Sequence, residues 1–246
     1  MIAVSLRVMN VSSRMFSVNL STVVKSLRWV SYAGLAGFLM WYIPNFIDKF
    51  KAEEFVLEGE MARFHNNNTE AITKYQQAIQ REPRHPIAQF SLSSIMVSDG
   101  NYREAKKNTA HLLVDYPWYP KAHLLAAVSS FELGDTSEGL NEISKEMSID
   151  DAPQTYYYAG YFAYRLHQSE TEYRMLTTLL QKNIESKISD FAVPTLDRLS
   201  DVCREQQKER ECLDYVQKMQ QTFTTDSGLT IKLHQIQQKL SLEISR

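Results

Sequence analysis

The stretch FVLEG (55–59), followed by EAITKYQQAIQREP (70–83), decides the fold because the chain returns to it. Moved along by 34 residues, Gly59 falls on Ser93, Ala71 on Ala105 and Pro83 on Pro117. Another 34 residues set Ala127 under Gly59, Gly134 under Gly100 and Gly139 under Ala71. Such a period, with small residues at fixed offsets, marks a stacked helix-turn-helix unit. Four windows follow from it: 52–85, 86–119, 120–153 and 154–187. The last is degenerate, with Ala159 and Gly160 in its first helix and Met175, Leu176, Leu179 and Leu180 in its second.

Each window predicts two helices. In the first, helix A covers 52–65 and helix B covers 69–81, with Asn66, Asn67 and Asn68 as the turn. Asn suits that turn because its short amide tolerates left-handed backbone and caps helix ends. Ala71, Ile72, Tyr75, Ala78 and Ile79 give helix B an apolar stripe at i, i+3/i+4 spacing. Small residues at Gly59 and Ala71 let the helices approach, Tyr75 fills the space beyond them, and Pro83 stops helix B. The second window repeats the plan, with 98–101 as the turn, Tyr102 and Ala105 opening helix B, and Pro117 closing it.

These residues resemble the tetratricopeptide repeat (TPR) family. The first window carries Phe55, Gly59, Ala71, Tyr75, Ala78 and Pro83 at the family's positions, and departs at Ala62, where the family usually has Tyr. The second keeps Leu92, Gly100, Tyr102, Ala105 and Pro117 but has Thr109 where an aromatic is usual. The third keeps Gly134, Asp135 and Leu140 and misses the closing Pro by two positions. The resemblance covers about half the chain and implies an all-α solenoid whose surfaces hold other proteins. It implies no single task, because one scaffold serves many.

Past the repeats, 188–246 reads as a further helical hairpin and a capping helix. Residues 190–206 put Leu196, Leu199 and Val202 on one side, and 209–223 carry Cys212, Tyr215, Val216 and Met219. Residues 229–244 align Leu229, Leu233, Ile236, Leu240 and Ile244. A solenoid needs an end that covers its last apolar face. The final helix is expected to do this with Gln235, Gln238, Lys239 and Glu243 turned outward. Cys203 and Cys212 flank the bend expected at 206–208, so a disulfide is geometrically open to them. Two buried thiols filling packing space are the alternative. Their spacing, with no His nearby, is not a zinc signature.

The 246 residues suffice for one elongated helical domain plus an anchor. Eight Gly and seven Pro are too few for the turns of an all-β fold. The first 47 residues hold no Asp or Glu and carry Arg7, Arg14, Lys25 and Arg28, whereas the rest carries 23 basic and 29 acidic residues. Between the basic segment 1–28 and the acidic body runs WVSYAGLAGFLMWYIPNFI (29–47), uncharged throughout. At helical rise it spans about 28 Å, close to a bilayer core. Trp29, Trp41 and Tyr42 suit the two interfaces, and Lys25 and Arg28 flank one side only.

A transmembrane anchor is therefore expected. A cleaved signal peptide would place small residues after the apolar run, and Ala33 and Ala36 lie inside it. A buried core helix would show a polar face, and this segment shows none. Pro44 would kink or end the helix near its exit. The one-sided charge predicts a cytoplasmic N-terminus and translocated repeats, facing the periplasm if the membrane is a bacterial inner membrane. The acid-free start also resembles a mitochondrial presequence, which would set the repeats in the intermembrane space or matrix, and Met15 is an alternative start.

The sequence holds no Gly-rich phosphate loop, no G-x-S-x-G elbow and no His set at metal spacing. His65 and His85 fall at helix ends, where surface capping explains them, and Asp150 and Asp151 fall in an inter-repeat loop. The acidic body argues against nucleic acid, which needs a basic stripe. The expectation is a non-enzymatic protein with no cofactor, no metal and no small-molecule substrate, whose partner is a protein or peptide.

In the TPR frame, helix A of each unit lines a concave groove. The resemblance places there Val56, Glu60, Arg63 and Phe64; then Phe90, Ser94 and Val97; then Leu124, Val128 and Phe131; and last Tyr157, Tyr161, Tyr164 and Arg165. The last set is the sharpest, because three tyrosines at i, i+4, i+7 share one helix face beside an arginine, and both residue types dominate binding hot spots. Core packing against the next helix pair is the competing reading, although three buried phenols would each need a partner. A membrane-anchored scaffold that assists assembly or secretion is the leading expectation. The alternatives are a structural subunit of a large membrane complex, or the tail of a multi-span enzyme such as an O-antigen-ligase-like protein.

Overall fold

The computed structural model describes residues 20–245, with side chains from 28 onward. Arg7, Arg14, Met15 and the expected presequence lie outside that range. The described residues form eleven α-helices and no strand. They are α1 (Leu20–Phe64), α2 (Asn68–Arg81), α3 (Pro86–Ser98), α4 (Tyr102–Asp115), α5 (Ala122–Glu132), α6 (Thr136–Ile149), α7 (Pro153–Arg165), α8 (Ser169–Ser186), α9 (Ala192–Glu205), α10 (Glu209–Thr222) and α11 (Ser227–Ile244). The chain divides into a unit ending at Phe50 and a body beginning at Lys51.

In the first unit, the whole of 29–47 is exposed, so the buried core helix weighed from the sequence does not occur. The segment is long and apolar enough to cross a membrane. Pro44, expected to kink or end the helix, lies inside α1 and does not end it. It removes one N–H from the ladder, while the Asn45 side-chain amide adds a bond to the Trp41 carbonyl at 2.6 Å. The helix A expected from 52 is the last part of α1.

In the body, the 34-residue period appears in the backbone. Asn66, Gly100 and Gly134 adopt left-handed φ of 57°, 76° and 90°, and each closes a helix A. The N–H groups of Asn67, Asn101 and Asp135 reach back to the carbonyls of Ala62, Met96 and Ser130, which is the Schellman arrangement. The Asn67 side chain also accepts from the Glu70 N–H and so caps α2. His167 and Gln207 make the same left-handed closure between α7 and α8 and between α9 and α10. The α9–α10 pair is thus a fifth hairpin of the same form. A side chain in this conformation costs roughly 1–2 kcal/mol that Gly does not pay. Gln207→Gly is therefore expected to raise stability by about 1 kcal/mol, read as a higher urea midpoint with unchanged helicity, and a lower midpoint would contradict the turn geometry.

Small residues set the hairpin spacing. A Cβ on Gly59 would lie 2.6 Å from Cε1 of Tyr75, the buried ring that fills this junction. In the third unit both positions are again small but the glycine is on helix B: a Cβ on Gly139 would lie 3.0 Å from Phe131 Cβ and 3.1 Å from the Ala127 carbonyl. Between α3, α4 and α5 the interior is rich in hydroxyls, with Ser91, Ser93, Thr109, Ser129 and Ser130 all buried. Helix α5 starts at left-handed Lys121, whose side chain gives no cap. Glu146 of α6 replaces the cap, accepting from the Lys121 N–H at 2.8 Å and the Leu124 N–H at 3.2 Å. Burial pushes the Glu146 carboxyl up from its ordinary value, and these two bonds partly offset the rise.

At the far end, α11 lays Leu229, Leu233, Ile236 and Leu240 into one core with α8, α9 and α10. Its outer side is less polar than expected. Ile231 and Leu242 are exposed there. Lys239 and Glu243 turn instead toward α9, at 2.9 Å from Asp201 and 4.0 Å from Arg204. Their long side chains reach opposite charges that the sequence alone does not locate.

Candidate functional site

Helices α3, α5 and α7 stand in successive layers, and a cleft of about 390 Å³ opens along them. Ser94, Val97 and Ser98 come from α3, and Leu125, Val128 and Glu132 from α5. Gln154, Tyr157, Tyr158 and Tyr161 come from α7, and Tyr102 from the start of α4. The hydroxyls of Tyr102, Tyr157 and Tyr158 make no hydrogen bond among the described residues. Burial raises the Tyr158 phenol, and nearby tyrosines raise it further. A phenol is protonated at neutral pH even without that rise, so its hydroxyl can donate.

Tyr161 is held differently. Its hydroxyl donates to Glu132 at 3.0 Å and accepts from the Arg165 guanidinium at 2.5 Å. Arg165 also lies 3.6 Å from Glu132 and spreads over the Phe131 and Tyr161 rings. Burial raises the Tyr161 phenol, the Glu132 bond adds to this, and Arg165 opposes it. A second, smaller pocket of about 160 Å³ shares Tyr157 and Tyr161 with the cleft. Gly160, Tyr164, Glu172, Leu176, Pro194 and Arg198 complete it. The Arg198 guanidinium lies over the Tyr164 ring, 4.4 Å from its centroid. None of the three tyrosines at i, i+4, i+7 is buried. Tyr157 and Tyr161 line both cavities, and Tyr164 lines the smaller one.

Of the residues expected in a groove, the cleft gathers Ser94, Val97, Val128, Tyr157 and Tyr161, and Tyr164 lines the adjoining pocket. Three are corrected to core, and Val128, which edges the cleft, is buried with two of them. Val56 is buried among Ala52, Ala71 and Tyr75. Leu124 is buried beside Ala127 and Ile143. Phe131 stacks on Phe162 with ring centroids 4.0 Å apart. Each points at its own helix B or at the next layer. Glu60 accepts from the hydroxyls of Tyr75 and Ser91, and Arg63 lies 3.7 Å from it. Phe90 packs on Tyr119, Phe64 is exposed at the end of α1, and Arg165 is the exposed partner of Tyr161.

Sequence reasoning missed Ser98, Tyr102, Leu125, Glu132, Gln154 and Tyr158. Only Tyr158 carried a signal, as a third tyrosine in an unbroken run. His85 caps α3 as expected, accepting from the Ala88 N–H, but it is buried rather than at the surface. Cys203 and Cys212 are joined in a disulfide between α9 and α10, with Cα atoms 6.4 Å apart. No cluster of three His, Cys, Asp or Glu placed to hold a metal occurs among the described residues.

No protein-family model matches the chain, and no curated protein matches it. Solved structures do. PilW, a type IV pilus biogenesis factor, is 13% identical with a TM-score of 0.58, the match covering 89% of this chain and 99% of that one. A thermophilic TPR protein of Thermus thermophilus is 14% identical with a TM-score of 0.55, covering 75% and 98%. MamA of Desulfovibrio magneticus is 11% identical with a TM-score of 0.56, covering 72% and 97%. At these identities the likeness is one of fold, and that fold is a TPR-like α-solenoid.

Proposed function

We propose that this protein is a non-enzymatic scaffold, anchored in a membrane through 29–47, that holds an extended segment of a partner protein in the cleft of α3, α5 and α7. One observation carries the reading: a cleft walled by tyrosines whose hydroxyls, at Tyr102, Tyr157 and Tyr158, have no partner within the described residues. An extended segment offers backbone donors and acceptors at every residue. Tyrosines meet them with rigid apolar area and a polar tip at small entropic cost. An anchor would raise the effective concentration beside a membrane complex, so that modest cleft contacts suffice.

The exposed, uncharged 29–47 segment with its basic flank supports repeats on the translocated side of the membrane. The Cys203–Cys212 bond supports the same side, because such compartments oxidise thiols. Fold likeness to a pilus biogenesis factor favours a role in assembly.

The test separates binding from stability. Tyr157→Phe with Tyr158→Phe removes two hydroxyls that have no intramolecular bond to lose, so thermal melting stays unchanged. Partner capture, read by a photo-crosslinker at Ser98 in native membranes, is expected to fall about tenfold, at roughly 0.5–1.5 kcal/mol per hydroxyl. Undiminished adducts in the double variant would remove the cleft from the binding site.

A further inference from the structure

Among the described residues nothing stacks on the outer face of the first repeat, and that face is apolar. Met61, Ile95, Ser129 and Ala163 occupy the same repeat position, 34 residues apart. Ile95, Ser129 and Ala163 are 3%, 0% and 2% exposed. They lie on α3, α5 and α7, which pack against α2, α4 and α6 of the preceding units. Met61 is 58% exposed, with Leu57 at 64% and Phe64 at 84% beside it. These three stand at i, i+4, i+7 and form one stripe. A solenoid end that meets only water is normally polar. The repeat geometry therefore states what shape would cover this stripe: another helix, laid along α1 as α2 lies along α3.

Charge selects among the occupants. On the helical wheel, Glu53 and Glu60 border the stripe on one edge and Glu54 on the other; Glu53 also lies 3.3 Å from His85, and Glu60 holds Tyr75, Ser91 and Arg63, yet both keep exposed carboxylates. A second copy placed across it would set these carboxylates against their own images. A bilayer surface that carries anionic lipids would repel them. A helix with basic flanks complements them. We propose that Leu57, Met61 and Phe64 dock a basic amphipathic helix of a partner protein. This face is separate from the tyrosine cleft and does not depend on the reading given to it.

The test uses the full chain in phosphatidylcholine nanodiscs. The probes are two synthetic helical peptides with one shared Leu/Ala stripe, flanked by Lys in one and by Glu in the other. The Lys-flanked peptide is expected to bind, and to bind at least about tenfold more weakly to Leu57→Glu or Met61→Glu and at high salt. Both positions are exposed, so unchanged melting will show that these variants fold. Equal binding of the two peptides, or indifference to Leu57→Glu, overturns the proposal. So does loss of binding in Tyr157→Phe with Tyr158→Phe, which alters only the cleft and the pocket beside it. A photo-crosslinker at Met61 in native membranes is expected to capture a different polypeptide, with a yield that falls as salt rises. A link between two copies, a lipid adduct, or no adduct overturns it.

Discussion

Arg198→Ala is expected to lower stability by about 3 kcal/mol, the largest single-residue loss on this surface, because it strands a buried carboxylate. Glu172 is 2% exposed. Arg198 Nε donates to one of its oxygens at 2.7 Å and Nη2 to the other at 3.2 Å. This two-pronged bond, chiefly, pushes the guanidinium above its ordinary value. Glu205 and the Tyr164 ring hold the other sides of the guanidinium. Without Arg198, Glu172 keeps only the N-terminal dipole of α8, which offsets a fraction of its desolvation. The melting midpoint should fall by roughly 6–12 °C for a body of this size. Glu172→Gln in the same chain should recover most of that loss, because a neutral amide does not need the guanidinium. A drop under about 1 kcal/mol, or no recovery in the double variant, would show that the pair is solvated.

The second large effect is at the disulfide. Replacing Cys203 and Cys212 by Ala should cost about 2.5 kcal/mol, the chain-entropy value for so short a loop, and lower the melting midpoint by roughly 5–10 °C. The bond ties α9 to α10, and both cysteines are buried among Leu199, Val202, Val216 and Leu233. Hydrogen exchange should accelerate in α9, α10 and α11 and remain near its original rate in α2 and α3, because solenoid layers share energy mainly with their neighbours. Protein from its native membrane, denatured and treated with a maleimide, should show no free thiol before reduction and two after it. Free thiols before reduction would contradict the oxidising compartment proposed for the repeats.

What the sequence determined is local. Asn66, Gly100 and Gly134 announce left-handed turns because few residues tolerate that backbone. Pro83 and Pro117 end helices because proline lacks the N–H. Gly59 and Ala71 mark a close helix crossing because nothing larger fits beside Tyr75. These constraints act within one hairpin, so a single window of the chain contains them. What the tertiary structure decided is the facing of each helix A. Val56, Leu124 and Phe131 turn into the core, while Ser98, Leu125 and Tyr158 open to the cleft. That difference depends on how each layer rotates against the next, and residues about 30 positions apart set the rotation by packing. For the same reason the exposed stripe at Met61 emerges only from the structure: the residue is apolar like Ile95, but among the described residues no layer covers it.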